Sequence, residues 1–359
     1  MTMPTDLRDV LRHFDIEIET SPYGNGHIND TYLVQTRPRT ILQRINTDIF
    51  KKPDEVMANI AAVTDFLRKK ISAAGGDPYR ETLRLIPTRE GQLYYTAPDG
   101  SAYRLYHFIE RTRSFDRAES PEMFAASAHA FGKFQRMLSD FPADTLYEVI
   151  PKFHDTTDRL RQFREALERD AKGRAASVRE EIDFVLSYAD RVGIVTDAIA
   201  DGSVPLRVTH NDTKLNNVML DEDTHEGVCV IDLDTVMPGS LLYDFGDALR
   251  FGASTGAEDE TDLSKISFDL TYFEAFTAAF LKEVGSDMTP RERELLPFSA
   301  QLMTLECGMR FLTDYLNGDT YFRIHREHHN LDRCRTQLKL VADIETKLPA
   351  MAEIVSKYV

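Results

Sequence analysis

Read for the spacing of its apolar positions, the chain changes character near residue 110. Before that point short runs of six to eight residues are strand-like: DTYLVQT at 30–36, TILQRI at 40–45, LRLIPT at 83–88, QLYYTA at 92–97 and AYRLYHFI at 102–109. One helix interrupts them, PDEVMANIAAVTDFLRKK, with Pro53 suited to the first turn and Val56, Ile60, Val63 and Leu67 at helical spacing. Beyond 110 the helical period dominates. Ser120-Pro121 reads as a cap and first turn, and Phe124, Ala128, Phe131, Gln135 and Leu138 trace one face of the helix they open. Further helices are predicted over 156–170, 176–199, 270–284, 291–316 and from about 331. In the 291–316 segment Leu302, Leu305, Met309, Leu312 and Leu316 form a core stripe. Glu306, Arg310, Thr313 and Asn317 lie on another face, where a solvated Glu306–Arg310 pair is the ordinary expectation. The pattern predicts an α+β chain with a small β-rich lobe over 1–108 and a larger, mainly helical lobe over 109–359, joined by a linker near His107 to Arg113.

One stretch of the second lobe departs from the helical pattern. VTHNDTKLNNVML, residues 208–220, concentrates amides and acids between apolar ends. Val218 to Leu220 and Val228 to Ile231 are strand-like, and the turn-rich residues between them predict a hairpin. With Leu220 opposite Cys229, Val218 faces Ile231 and Asn217 faces Asp232, so an amide and a carboxylate meet at the open end as two oxygen ligands for a hard divalent cation. Asp212 stands five residues before Asn217. H-x-D-x-x-x-x-N, a strand and then an apolar-Asp turn is the phosphotransfer arrangement of protein-kinase-like enzymes. Asp212 then accepts or orients the proton of the attacking hydroxyl, Lys214 neutralises charge on the transferred group, and Asn217 and Asp232 hold Mg2+ on the phosphates of ATP. A lone Asp or Asn in a loop more often caps a turn or satisfies backbone N–H groups, and it is the joint spacing that favours chemistry. Asp244-Phe245-Gly246 imitates a metal-binding D-F-G, but it lies outside the hairpin, so Asp244 is assigned to capping a helix or bracing the catalytic loop.

Charge and composition narrow the partners. The chain has 359 residues, 42% of them hydrophobic, enough for about two domains at roughly 150 residues each. Its formal net charge of −16 repels nucleic acid and an anionic membrane surface. No run approaches the length of a spanning helix and the N-terminal segment has no leader-like apolar region, so a cytoplasmic protein is expected. Cys229, Cys307 and Cys334 lack C-x-x-C spacing and read as reduced core thiols. No obligate protein partner is evident.

HNDTKLNN followed by IDLDT and YDFGDALRFG resembles the aminoglycoside phosphotransferase and choline kinase superfamily. That resemblance implies a bilobal protein-kinase-like fold with an N-terminal nucleotide-binding lobe. PYGNGHINDTYLV, TILQRIN, VTHNDTKLNN, IDLDTVMPGSLLYDFGDALRFGAS and LECGMRFLTDYLNGDTYF together resemble the bacterial N-acetylhexosamine 1-kinases along nearly the whole chain. The implied reaction is ATP- and Mg2+-dependent phosphorylation of the anomeric hydroxyl of N-acetylglucosamine or N-acetylgalactosamine. The same resemblance makes His27, Arg310 and Tyr321, with Asp212 and Asp234, sugar contacts. Gly24 and Gly26 become a turn that covers phosphate. The nucleotide base is expected along the linker, at Phe108, Ile109 and Glu110. One departure from protein kinases concerns the strand position of the phosphate-pairing lysine, which reads Gln43, with Arg44 on the opposite face. Whether Glu55 has an ion-pair role is open, as are two other readings: a kinase of an amino alcohol, aminoglycoside or other sugar, and a silent nucleotide-binding module.

Overall fold

The structure, a computed structural model, describes residues 6–24 and 29–358; Gly26 and His27 lie outside them. The chain divides into two compact units. Unit 1 runs to Ser114 and adds Asp140–Pro151 and Asn217–Pro238; unit 2 holds Phe115–Ser139, Lys152–Asn216 and Gly239–Val359. The first stretch of unit 1 ends close to the division expected after 108. Two later segments also belong to it, and local patterning carries no signal of that.

Unit 1 begins with a short helix, α1 (Leu7–Arg12), whose N-cap Asp6 accepts from the Arg8 amide. An antiparallel sheet comes next, built from β1 (Thr20–Pro22), β2 (Asp30–Val34), β3 (Thr40–Ile45), β4 (Leu85–Ile86), β5 (Tyr95–Thr96) and β6 (Ala102–His107) in the order β1-β2-β3-β6-β4, with β5 also on β6. Alternation divides its faces. Leu42, Tyr103 and Leu105 pack with Val10 and Leu11 of α1 and with Phe14 just beyond it. Gln43 and Arg104 are direct cross-strand partners, as are Ile41 and Tyr106. The predicted helix is α2 (Pro53–Ala73), which buries Val56, Ile60, Val63 and Leu67. Asn59 of α2 donates to the carbonyls of Tyr147 and Val236 and accepts from the Tyr147 amide. One buried side chain thereby ties both late segments to unit 1. A three-stranded sheet is completed by β7 (Thr112–Arg113) on the hairpin Val218–Asp221 and Gly227–Val230.

Unit 2 is helical: α3 (Pro121–Met137), α4 (Thr156–Arg169), α5 (Arg179–Ser187), α6 (Ile194–Ala200), α7 (Leu241–Gly252), α8 (Leu270–Val284), α9 (Pro290–Asn317) and α10 (His329–Ser356). The single helix expected over 176–199 is two, α5 and α6, because the chain turns between Tyr188 and Gly193, the residue at which α6 is capped. Helix α9 opens with a reciprocal Thr289–Glu292 capping box, and its predicted stripe, Leu302, Leu305, Met309, Leu312 and Leu316, is buried. Among the described residues no helix is long and apolar enough to cross a membrane.

Helix α7 was not legible as a helix. Asp244, Asp247 and Arg250 recur at a spacing of three, but Leu241 to Arg250 are all buried, and the D-F-G triplet drew attention as a motif instead. Gly246 explains the triplet differently. A Cβ there would fall well inside van der Waals contact distance of the Ser299 carbonyl oxygen and 2.7 Å from Met303 Cγ, both on α9. The glycine is the condition for two helices to approach closely. Replacing Gly246 with Ala is expected to lower stability by about 1–3 kcal/mol through overpacking, read as the urea unfolding midpoint; an unshifted midpoint would show that the helices part without cost.

Candidate active site

The central loop of unit 2 leaves a short strand, Arg207–Thr209. Its backbone is held by side chains of α7 rather than by a ladder. Asp244 accepts the amides of His210 at 2.9 Å and Asn211 at 2.7 Å, and Gln135 of α3 donates to the same carboxylate. Asp247 accepts the Thr213 amide at 3.2 Å and the Arg250 guanidinium at 3.0 Å. The expectation that Asp244 braces this loop is met, although Ser240, not Asp244, caps the helix. Asn211 takes a left-handed backbone, φ 64, a conformation Asn tolerates better than most residues. Asp212 comes directly after it, half-buried, with Lys214 Nζ 2.7 Å from its Oδ1. Burial pushes the Asp212 carboxyl up, but the Lys214 ammonium, then His210 and Arg250, outweigh it, and its pKa lies below the ordinary carboxylate value. The partner shifts the other way: burial disfavours the charge of Lys214, and the carboxylates of Asp212 and Asp247 more than restore it. Asp212 is therefore a carboxylate and Lys214 an ammonium at neutral pH, suited to orienting a hydroxyl and countering phosphoryl charge.

A second set of unit 2 residues reaches the same loop. His154 Nε2 lies 3.0 Å from the Asn211 carbonyl and Nδ1 2.9 Å from Glu306 Oε1, while Thr156 donates to Glu306 Oε2 at 2.7 Å. Glu306 is 1% exposed, which overturns the expected solvated Glu306–Arg310 face: α9 is buried on that side too, so its carboxylate finds a histidine instead of water. One turn on, the Arg310 guanidinium lies among the rings of Phe153, Tyr321 and Phe322, at 5.5, 6.0 and 5.5 Å. Burial, and then the nearby Arg310 guanidinium, hold Arg159 below the ordinary arginine value. Tyr321 is 59% exposed. Its turn is fastened by Asp314, which accepts the amides of Thr320, Tyr321 and Phe322 and the Asn330 side chain. Arg310 and Tyr321, paired by resemblance, are thus neighbours.

In unit 1 the hairpin forms, but its register differs from the expectation by one residue. Gly227 pairs with Leu220, Cys229 with Met219 and Val230 with Val218, with an irregularity between Gly227 and Cys229. The extra residue is absorbed there as a bulge, so Asn217 lies opposite Ile231, whose amide it accepts at 2.9 Å. Asp232 comes one residue later, in a left-handed turn with φ 58 and ψ 56. Asn217 and Asp232 thus both stand at the open end of the hairpin, an amide and a carboxylate of the oxygen-donor type that suits a hard divalent cation. Among the described residues no group of three or more His, Cys, Asp or Glu is placed to hold a metal.

The other contacts expected in unit 1 are mostly committed to protein groups. Asp234 is buried, with one carboxylate oxygen on Arg104 and the other accepting from Asn29 at 2.6 Å. It is an anchor among protein groups. Gln43 accepts from Arg104 and donates to Thr31, while Arg44 points away to Asp30 and Ser101. Glu55 pairs with Lys52 on the surface. In the linker the amides of His107 and Phe108 are committed to the carbonyls of Arg84 and Arg39, and the Ile109 carbonyl accepts from Thr112. Glu110 forks onto Arg39, which also covers the Phe108 ring at 4.1 Å. Gly24 has φ 75 with open space around it. Arg104 and His154 were missed by sequence reasoning. An arginine inside the otherwise apolar AYRLYHFI run was the available signal for the first; nothing local marked the second.

A family model described as phosphotransferase enzyme family matches residues 19–283. Solved structures share the fold over nearly the whole length. A microcompartment-associated aminopropanol kinase is 17% identical, covers 96% of this chain and 98% of its own, and superposes with a TM-score of 0.63. An aminoglycoside phosphotransferase from Alicyclobacillus acidocaldarius is 13% identical, with coverages of 99% and 98% and a TM-score of 0.63. The amicoumacin kinase hAmiN, in complex with AMP-PNP and Ca2+, is 13% identical, with coverages of 91% and 88% and a TM-score of 0.53.

The His154–Glu306 pair makes a prediction about pH. Burial lowers the imidazole, but Glu306 and the Asn211 carbonyl raise it above the ordinary histidine value; burial raises Glu306, but His154 and then Arg310 and Arg159 bring it below its own. The histidine's contribution to stability is complete below about pH 6.5 and is lost as pH rises through its folded value. The glutamate's is complete above about pH 4.3 and is lost in acid. Stability from the pair should peak between the two. Removing one partner, as in Glu306→Ala, should cost about 3–5 kcal/mol near that peak and less at alkaline pH. Parallel urea-stability profiles for both proteins between about pH 5 and 9 would remove the pair from this role.

Proposed function

The chain belongs to the phosphotransferase enzyme family, and on that premise we propose that it is a small-molecule kinase that transfers phosphate from ATP, with Mg2+, to the anomeric hydroxyl of an N-acetylhexosamine. Arg310 carries the sugar half of the reading. Its guanidinium is flanked by Phe153, Tyr321 and Phe322, with a second cation, Arg159, nearby, and the Glu306 carboxylate one turn away is already occupied by His154 and Thr156. A cationic amino alcohol or aminoglycoside meets repulsion here. A neutral sugar meets a planar donor for its hydroxyl or acetamido oxygen and aromatic faces for its apolar side. His27, Arg310 and Tyr321 hold the sugar; Gly24, Gly26, Phe108, Ile109 and Glu110 serve the nucleotide.

The chemistry asks little of a base. Phosphoryl transfer is loose, so alignment and charge stabilisation dominate. Asp212, held ionised by Lys214, accepts a hydrogen bond from the anomeric hydroxyl and takes its proton late. Lys214 compensates charge on the moving phosphoryl group. Asn217 and Asp232 hold the cation, which supplies neutralisation of the phosphate oxygens when bound.

Two outcomes test this. Asp212→Asn keeps shape but cannot take the proton, so the rate should fall about 100-fold or more while nucleotide binding survives; chelation of Mg2+ should abolish turnover of the unmodified enzyme. A wild-type rate in the variant, or turnover indifferent to chelation, would return these residues to turn-capping. For the acceptor, Arg310→Ala should lower kcat/KM for N-acetylglucosamine or N-acetylgalactosamine about 5- to 150-fold, the loss of about 1–3 kcal/mol, while sparing the KM for ATP. Phosphorus NMR of the product should show coupling to the anomeric proton; coupling to the two C6 protons would sink the assignment of the hydroxyl.

A further inference from the structure

Protein-kinase-like sites rely on a strand lysine paired with a helix glutamate, in place together with the metal-binding aspartate. This chain has Gln43 on the strand, and α2 turns a thioether, Met57 Sδ, to within 3.9 Å of the nearest buried cation, while Glu55 is spent on Lys52 at the surface. The cation is Arg104. It stands directly opposite Gln43 on β6, a strand paired on both of its sides, and is 1% exposed. Nε and Nη2 donate to Gln43 Oε1 at 3.1 and 2.9 Å, and Nη1 donates to Asp234. A buried charge persists only when paired, and here the acid comes from the turn just beyond Asp232.

Resting on the kinase reading above, we propose that Arg104 and Asp234 replace the strand-lysine and helix-glutamate pair, with the cation moved one strand across and the acid moved to the turn after the metal ligand. Arg104 is a positioning residue for Asp232. Asp234 lies two residues beyond Asp232, in the short helical turn Leu233–Thr235. Its two oxygens are held by Arg104 from β6 and by Asn29, whose Oδ1 also accepts the Asn46 amide beyond the end of β3. Asp232 itself has the left-handed backbone that non-glycine residues hold only when their surroundings enforce it. Clamping Asp234 enforces it. Gln43, unable to pair with phosphate as a cation, orients the guanidinium as its acceptor. The glutamine is then no defect but half of a relocated device.

The test reads binding of a fluorescent ADP analogue as Mg2+ is titrated, without turnover. Arg104→Met should raise the Mg2+ concentration needed for half-maximal binding about 10- to 100-fold, the range seen when a metal ligand loses its support. Arg104→Lys, which keeps the charge next to Asp234, should recover most of that loss, and Arg44→Met on the opposite face should match the wild type. Since an unpaired Asp234 can unfold the protein, the double variant Arg104→Met/Asp234→Leu replaces the pair with apolar groups, a change that folds tolerate. It should melt like the wild type and still need more Mg2+. Wild-type Mg2+ dependence in either variant that carries Arg104→Met, or an Arg104→Lys variant no better than Arg104→Met, overturns this inference alone. A wild type that binds no nucleotide at any Mg2+ concentration overturns the kinase reading and this inference with it.

Discussion

A buried carboxylate must be surrounded by donors, and this requirement shapes the loops that carry Asp212, Tyr321 and Asp232. Loops have no ladder to satisfy their backbone amides, and a carboxylate out of water is costly unless hydrogen-bonded. Each deficit answers the other. Asp244 collects the amides of His210 and Asn211 and sets the backbone that leads into Asp212. Asp314 collects three successive amides and sets the turn that carries Tyr321. Asp234 fastens the turn after Asp232 to β6. The acids best placed to be mistaken for catalytic groups are the ones that hold the loops.

Unit 2 joins the loop before Asp212 to helix α9 through one such contact. Glu306 binds His154 and Thr156, and His154 reaches the Asn211 carbonyl. The guanidinium of Arg310, one turn along α9, is thereby built on the same helix that steadies the residue before Asp212. A displacement of α9 cannot leave the loop unaffected, because the imidazole has an acceptor at each end and no freedom to turn away. The contact is compact and charged, and its strength depends on both groups staying ionised.

Unit 1 gathers its parts differently. Its sheet is an ordinary antiparallel one with α1 on one face, yet it takes in chain from residues 140–151 and 217–238. Asn59 does much of that gathering, since one carboxamide satisfies three backbone groups from two segments. The hairpin bearing Asn217 then lies on β7, where Thr112 pairs with Asp221 and Arg113 with Leu220, and Arg80 fixes Asp221 at 2.6 Å.

The sequence by itself determined the features that period and local chemistry impose. Strands β2, β3 and β6, helices α2, α3, α4, α8, α9 and α10, the core stripe of α9 and the hairpin were readable, because half-buried elements must alternate or repeat to keep one side dry. The spacing of Asp212, Asn217 and Asp232 was readable for the same reason: it is set within 21 residues of chain. Tertiary structure alone decided the rest. A bulge at Gly227–Cys229 shifted the register by one, a cost no residue pattern announces. Helix α7 turns Asp244, Asp247 and Arg250 toward protein groups and not toward water. Glu306 lost its expected water because another part of unit 2 covers it, and Arg104 found Asp234 across 130 residues. Those pairings depend on distance in space, and the charge of a buried group has meaning only once its neighbour is known.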